Sequence, residues 1–385
     1  MSQSQYSQFW PKGGFPGILH HYVCSVICIS WELIRYCLLT GRQDETLVTF
    51  EFTNTGIQQP HSILFVGGLG DGVATTSYLA DVVRGVLPTS WSLFTLNLTS
   101  SYQGWGLGHL DRDTDEIAKC IQYIQEYKKS KYNNTSSKIV LMGHSTGSQC
   151  VLHYLSRPNP HTSNPPYDPS LVHRHRPILD GAIMQAPVSD RQAVMWVLEE
   201  GFLGKTPAEL KAVYDDLVTT ARSALTADPA SDAILPIAKT SQLGYFGTPI
   251  TARRFLSLVS PDSPDSPSED DLFSSDLSDS QLATTFGMIH ERGLLRGAGK
   301  LVVLMSGADQ AIPDWVDKAG LLERWKAVAD RDGSKVWHDG LSGIILGASH
   351  ALSNDDQAEP RRLLVRRVLD LLGELGGDKG AGESE

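Results

Sequence analysis

Lys138-Ile-Val-Leu-Met-Gly-His-Ser-Thr-Gly147 leads directly into Ser148-Gln-Cys-Val-Leu-His-Tyr-Leu155. Ile139 to Met142 is a short apolar run with a β-branched start, as in a buried strand, and the residues after Gly147 continue as a helix. Between the two stands Gly143-x-Ser145-x-Gly147. Strand before and helix after are the setting that a nucleophile elbow requires. Bulk at 143 or 147 would collide with neighbouring backbone, and the sharp turn would hold the Ser145 hydroxyl out at the C-terminal edge of a sheet. A bare G-x-S-x-G arises often by chance, and a serine here could equally serve as a helix N-cap. The flanking elements favour the nucleophile.

Outward from this stretch, strand-like runs alternate with helical patterns. Leu47 to Thr53 alternates like a half-buried strand, whereas Ile63 to Val66, Leu93 to Leu98, Ile178 to Met184 and Leu301 to Met305 read as buried ones. Asp111 to Lys129 puts Ile117, Ile121, Ile124 and Lys128 on one helical face, with acids in its first turn and lysines in its last. The alternation predicts an α/β fold, a mostly parallel, doubly wound sheet covered by helices, over residues 47–186 and 301–373. Residues 187–300 carry helical patterns, such as Asp190 to Glu200 and Pro207 to Leu225, and no comparable strand; they read as an inserted, mainly helical cap. Within it, Ser260 to Ser280 is rich in Ser, Pro and Asp and is expected to be a mobile acidic loop. The tail 374–385 has the composition of a frayed end.

A serine hydroxyl needs a base and an orienting carboxylate, which on this kind of sheet follow in the chain order Ser, acid, His. Leu301-Val-Val-Leu-Met-Ser-Gly-Ala-Asp309 ends a strand in an acid, and Gln310-Ala-Ile-Pro313 turns the chain away after it. Asp309 is therefore the expected acid, with Asp314, beyond the proline, as the weaker alternative. Gly347-Ala-Ser-His350 follows the apolar run Ile344 to Leu346 and precedes the last helical pattern. His350 is the expected base, and His338, after Lys335 to Trp337, is its competitor. Acyl transfer also needs donors for an oxyanion. The backbone N–H groups of Leu69, in the loop Val66-Gly-Gly-Leu-Gly-Asp-Gly72, and of Thr146 are assigned to it. A phosphate-binding reading of the same loop fails, because G-x-x-x-x-G-K-[ST] is absent.

The chain has 385 residues, which at roughly 150 per domain fits one α/β domain with a large insertion as well as two domains. Lysine plus arginine total 33 against 44 acids, a net charge of −11. That argues against a nucleic-acid binder and suits cationic or neutral small substrates. Five cysteines without a CxxC pair fit neither a disulfide framework nor a cysteine zinc site, and a reducing, cytoplasmic location is expected. The polar start Met1 to Gln8 lacks the basic and apolar regions of a signal peptide. Ile18 to Leu39 contains His20, His21, Glu32 and Arg35, too polar for a membrane span, and reads as an amphipathic or poorly ordered surface segment.

Gly17-Ile-Leu-His-His-Tyr22, Leu47-Val-Thr-Phe-Glu-Phe52, Phe65 to Gly72, Ser100-Ser-Tyr-Gln-Gly-Trp-Gly106, Leu110-Asp-Arg-Asp113 and Met142 to Gly147 together resemble the fungal α/β-hydrolases that act as siderophore esterases. The resemblance covers nearly the whole chain apart from the tail. It implies an α/β-hydrolase fold, hydrolysis of the ester bonds of a hydroxamate siderophore of the fusarinine C type, no cofactor, and iron only as part of the substrate. Ser145, Asp309 and His350 match the family's triad. The implied substrate has free α-amino groups; if the cap overhangs the site the acids of Ser260 to Ser280 would attract it, and otherwise they form a solvated linker without effect on substrate. In the family pattern Tyr22 is followed closely by the Leu47 strand; here residues 23–45 intervene, with three of the five cysteines, and read as an insertion within an N-terminal extension, residues 1–46. A lipase, thioesterase or acyltransferase of the same fold, or a catalytically silent binding protein, would share the elbow without this specificity.

Overall fold

In the computed structural model, residues 10–11, 14–23, 46–133, 136–162, 171, 173–229, 231–297, 299–354 and 356–376 are described. The apolar runs become strands β2 (Thr46–Phe52), β3 (His61–Val66), β4 (Trp91–Asn97), β5 (Ile139–His144), β6 (Gly181–Gln185) and β7 (Leu301–Ser306). Two more join them, β1 (Gly17–Val23) and β8 (Gly343–Ile345). All lie in one sheet, ordered β1-β2-β4-β3-β5-β6-β7-β8. β1 and β2, and β2 and β4, pair antiparallel; every other neighbour is parallel. β3, β5, β6 and β7 are buried at every residue, so these strands can be apolar throughout rather than alternating.

Helices α1 (Leu79–Val86), α2 (Leu110–Tyr132), α3 (Thr146–Ser156), α4 (Asp190–Glu200), α5 (Pro207–Ala227), α6 (Ile237–Thr240), α7 (Ala252–Val259), α8 (Asp279–Ala283), α9 (Ile289–Arg292), α10 (Lys318–Ala329) and α11 (Ala358–Gly376) complete the regular structure. On one face of the sheet α2, α3 and α10 bring Ile117, Ile121, Leu152 and Trp325 into a single apolar cluster. On the other, α1 and α11 bring Val82, Val83, Leu364 and Val368. Lys128 does lie on the buried face of α2 with Ile117, Ile121 and Ile124. Its ammonium is tolerated there because Glu51 Oε1 accepts from it at 2.6 Å, Gln59 O at 2.7 Å and Ser92 Oγ at 2.8 Å. Between β6 and β7, α4, α5 and α7 share an apolar cluster of their own that includes Leu210, Leu217, Ile250 and Phe255. Trp105 belongs to it and Leu69 packs against it, so these helices sit over the loops that leave the sheet beside Ser145.

Three expectations change. Gly17–Val23, read as part of a surface segment, is an edge strand: His20 and Tyr22 point inward and are buried, while Leu19 and His21 are exposed. The two-residue alternation is there, hidden by two adjacent histidines. Val23, expected to begin the insertion, pairs directly with Thr46 at the end of β1, and residues 24–45 between them lie outside the described residues. The acidic stretch 260–280 is not a free loop. Leu272, Phe273 and Leu277 are buried, Phe273 packing on Trp325 at 5.3 Å, and the acids meet arginines remote in sequence. Arg254 reaches Asp270 at 2.5 Å, Arg191 reaches Asp271 at 2.9 Å, and Arg324 reaches Asp279 at 2.9 Å. The final helix runs to Gly376, past the expected fraying point at Gly373, and residues 377–385 lie outside the described ones. No helix among the described residues is long and apolar enough to cross a membrane.

Candidate active site

Ser145 links β5 to α3 with φ 54° and ψ −121°, a conformation a non-glycine residue adopts only when its surroundings impose it. Those surroundings are backbone. A Cβ on Gly143 would run into the Gly147 carbonyl, and one on Gly147 into the Val66 carbonyl, so the strand, the turn and the β3 loop meet only because both positions are glycine. Ser145 N–H donates to Gln185 O at 2.9 Å, which ties the turn to β6. The side chain does not cap α3, so the ordinary N-cap reading fails. The Ser145 hydroxyl is instead engaged with His350 Nε2 at 2.9 Å.

His350 Nδ1 is 2.8 Å from Asp309 Oδ2. With the carboxylate accepting from Nδ1–H, Nε2 carries the lone pair that accepts the Ser145 proton. Burial lowers the His350 pKa, but the Asp309 charge and hydrogen bond, with Asp71 and Asp190 further off, outweigh it, and the net shift is upward. Asp309 is itself buried; its Oδ1 accepts Ala311 N–H at 2.8 Å, so the turn after β7 that the sequence implied also orients the carboxyl. His144 lies beside His350, ring centroids 5.0 Å apart. Burial, then the neighbouring His350, push its pKa down to about 4, so it stays neutral and does not compete as base.

The weaker alternatives fall elsewhere. Asp314 is exposed. His338 Nε2 lies 2.9 Å from Glu374 and its Nδ1 accepts Leu341 N–H at 3.2 Å, so both nitrogens are occupied away from Ser145.

The loop after β3 presses on the elbow: a Cβ on Gly68 would lie 2.8 Å from that of Ser145. Asp71, inside the glycine motif but not singled out from sequence, holds it. Its Oδ2 accepts from Gly68 N–H at 2.9 Å and Thr76 Oγ1 at 3.0 Å. Gly68 N–H is thereby taken, while neither Leu69 N–H nor Thr146 N–H has an acceptor among the described hydrogen bonds. Thr146 opens α3, where the N–H is left over by helix geometry. Gln357 was also missed. Its Oε1 accepts Ser349 N–H at 2.8 Å and its Nε2 donates to Gly347 O at 3.0 Å, bracing the loop that carries His350. No motif marks it; only the fold brings it there.

Gln310 Oε1 accepts His350 N–H at 3.0 Å and also lines a cleft of about 540 Å³ with Trp196, Glu200, Phe202, Ala311 and Asp314. A mixed apolar and acidic cleft therefore opens next to the histidine. Beneath the elbow, Asp113 and Asp190 are pushed up to about 6 by burial, against hydrogen bonds from Ser100 and Gln149. The arrangement joins a hydroxyl, an imidazole, a carboxylate and two amides without an acceptor among the described residues, which together can perform acyl transfer.

The fusarinine C esterase sidJ of Aspergillus fumigatus is 62% identical to this chain over 373 residues, covering 96% of the chain and 99% of that protein. Esterase AN6793 of Emericella nidulans is 47% identical over 377 residues, covering 96% and 95%. The solved structure of the siderophore hydrolase EstB from Aspergillus fumigatus superposes with a TM-score of 0.80 at 59% identity, over 96% of this chain and 100% of that one. Residues 14–373 match the family described as protein of unknown function DUF1749. The chain has the α/β-hydrolase fold and belongs to the DUF1749 family.

Proposed function

We propose that this chain is a serine esterase that hydrolyses the ester bonds of a hydroxamate siderophore of the fusarinine C type. The observation that carries the reading is the line Ser145 Oγ, His350 Nε2 and Nδ1, Asp309 Oδ2, with links of 2.9 and 2.8 Å, at a strained elbow in a chain so similar to named siderophore hydrolases. Ser145 Oγ attacks the ester carbonyl as its proton passes to His350 Nε2. The carbonyl electrons move onto oxygen, where Leu69 and Thr146 N–H groups donate to it. Collapse breaks the C–O bond, and His350 returns the proton to the leaving alcohol. A water deprotonated by His350 then cleaves the acyl-enzyme. No cofactor takes part; iron enters only as the substrate's cargo.

Each cleavage unlinks chelating arms that the ester had kept at high effective concentration, which weakens the hold on iron. A cytoplasmic location suits this role and accords with cysteines that form no CxxC pair. The test is incubation of purified protein with iron-loaded and iron-free hydroxamate siderophores, with product masses read out. Ester hydrolysis that Ser145→Ala abolishes, together with fluorophosphonate labelling at Ser145, is expected. Unchanged siderophore alongside hydrolysis of simple lipid esters would overturn the substrate assignment.

A further inference from the structure

The far end of α3 carries a second concentration of ionisable side chains that ester hydrolysis leaves unused. His153 on α3, His161 and His173 beyond it, Asp111 and Asp115 on the first turns of α2, and Glu269 meet there. None of them touches the triad. His153 is eight residues beyond Ser145, about 12 Å along the helix. Asp111 is the hub: its Oδ1 lies 2.7 Å from His153 Nε2 and 3.0 Å from His161 Nε2. His173 Nδ1 is 3.4 Å from Asp115 Oδ2, and the His161 and His173 rings are 4.9 Å apart.

Donor atoms of Asp111, His161 and His173 all lie within 4.8 Å of one another, and so do those of Asp111, His153 and Glu269. Zinc bonds to nitrogen and oxygen are about 2.0–2.2 Å, so two donors on one ion sit at most about 4.4 Å apart. Small side-chain rotations close either triplet. Hydrogen bonding distinguishes them. Arg157 Nε donates to His153 Nδ1 at 3.3 Å, which leaves His153 Nε2–H donating to Asp111, so both of its nitrogens are committed. Among the described residues, His161 Nδ1 and Glu269 Oε2 are buried without a hydrogen-bond partner, while His173 Nδ1 and Asp115 Oδ2 face each other at 3.4 Å. His161 is only 8% exposed. Buried polar atoms left unpaired are unfavourable, and these two beside Asp111 point to a missing electrophile. A divalent cation would also offset the negative charge of the buried Asp111 carboxylate. A cavity of about 800 Å³ reaches the cluster past His161 and Glu269 and supplies a path for entry.

We propose that Asp111, His161 and His173 bind one divalent transition-metal ion of the zinc class, with Asp115 orienting His173 from outside. Neutral imidazole and carboxylate donors without thiolate suit such an ion. It clamps the chain beyond α3 to the start of α2 and takes no part in ester hydrolysis.

The test uses the full chain stripped with a chelator, then titrated with Zn²⁺ alone and followed by calorimetry and thermal unfolding. One equivalent is expected to bind saturably and to raise Tm by several degrees at about 100-fold excess over Kd. His161→Gln and His173→Gln are each expected to weaken binding by about 100-fold or more, and His153→Gln by about 10-fold. Fluorophosphonate labelling of Ser145 is expected to be the same with and without the ion. Absence of saturable binding, or wild-type affinity in both His161→Gln and His173→Gln, overturns the site. Loss confined to His153→Gln overturns the ligand assignment. Should the variants fail to fold, the Co²⁺ spectrum of the wild-type chain decides. Strong visible absorption from a site of four or five ligands is expected, and the weak spectrum of the hydrated ion refutes the proposal.

Discussion

Replacing Asp309 by asparagine changes one atom, and the structure dictates how the new amide must sit. Ala311 N–H requires an acceptor, now supplied by Asp309 Oδ1 at 2.8 Å. In Asp309→Asn the amide oxygen has to keep that bond, because turning the NH₂ group toward Ala311 would set two donors face to face. The NH₂ then points at His350 Nδ1, where Oδ2 now lies at 2.8 Å. Nδ1 becomes the acceptor, and the imidazole proton moves to Nε2. A protonated Nε2 facing Ser145 Oγ cannot take its proton. By comparison with other triads the loss is about 10⁴ in kcat, roughly 5 kcal/mol of transition-state stabilisation. The substitution is isosteric and leaves burial unchanged, so the variant should fold. The assay is steady-state hydrolysis of a chromogenic ester, with circular dichroism and thermal unfolding as controls. A well-folded Asp309→Asn enzyme within tenfold of the wild-type kcat would refute the tautomer argument and Asp309 as the orienting acid.

His350 acts as a base only when neutral, and its pKa is raised, so kcat/KM should fall as pH drops through a value above 6.5. A pH–rate profile with its acidic limb well below 6 would show that another group controls the step. Lys128→Met leaves the Glu51 carboxylate buried without its 2.6 Å ammonium partner and should cost about 3–5 kcal/mol of stability by urea denaturation, much of it recovered in the Glu51→Gln/Lys128→Met double variant. Replacing residues 24–45 by Asn-Gly should leave Tm and esterase activity unchanged, since Val23 and Thr46 already pair as the ends of a hairpin; loss of folded protein would give that stretch a packing role. Because Asp270, Asp271 and Asp279 are paired with arginines, added salt should alter kcat/KM equally for a siderophore with free amines and its N-acetylated counterpart. A steeper fall for the amine substrate would restore the steering role.

What could be read along the chain was whatever is encoded locally. Strand runs around Ile63, Leu93, Ile139 and Leu301, the helix from Asp111, and the elbow at Ser145 each declare themselves through periodicity or a steric need for glycine within a few residues. The order Ser145, Asp309, His350 was legible because each residue ends a strand or follows one, and parallel strands deliver their C-terminal ends to the same edge of the sheet. β8 was marginal, three residues long, and β1 was masked by paired histidines. Tertiary structure alone decided the rest. Whether an acidic, serine-rich stretch is loop or packed segment depends on Arg191, Arg254 and Arg324, which lie up to about 80 residues away in the chain and leave no trace in local composition. The same holds for Gln357 beneath the His350 loop and for the grouping of Asp111, His161 and His173: such contacts are made between side chains that only the folded sheet and its helices bring within 3 to 5 Å.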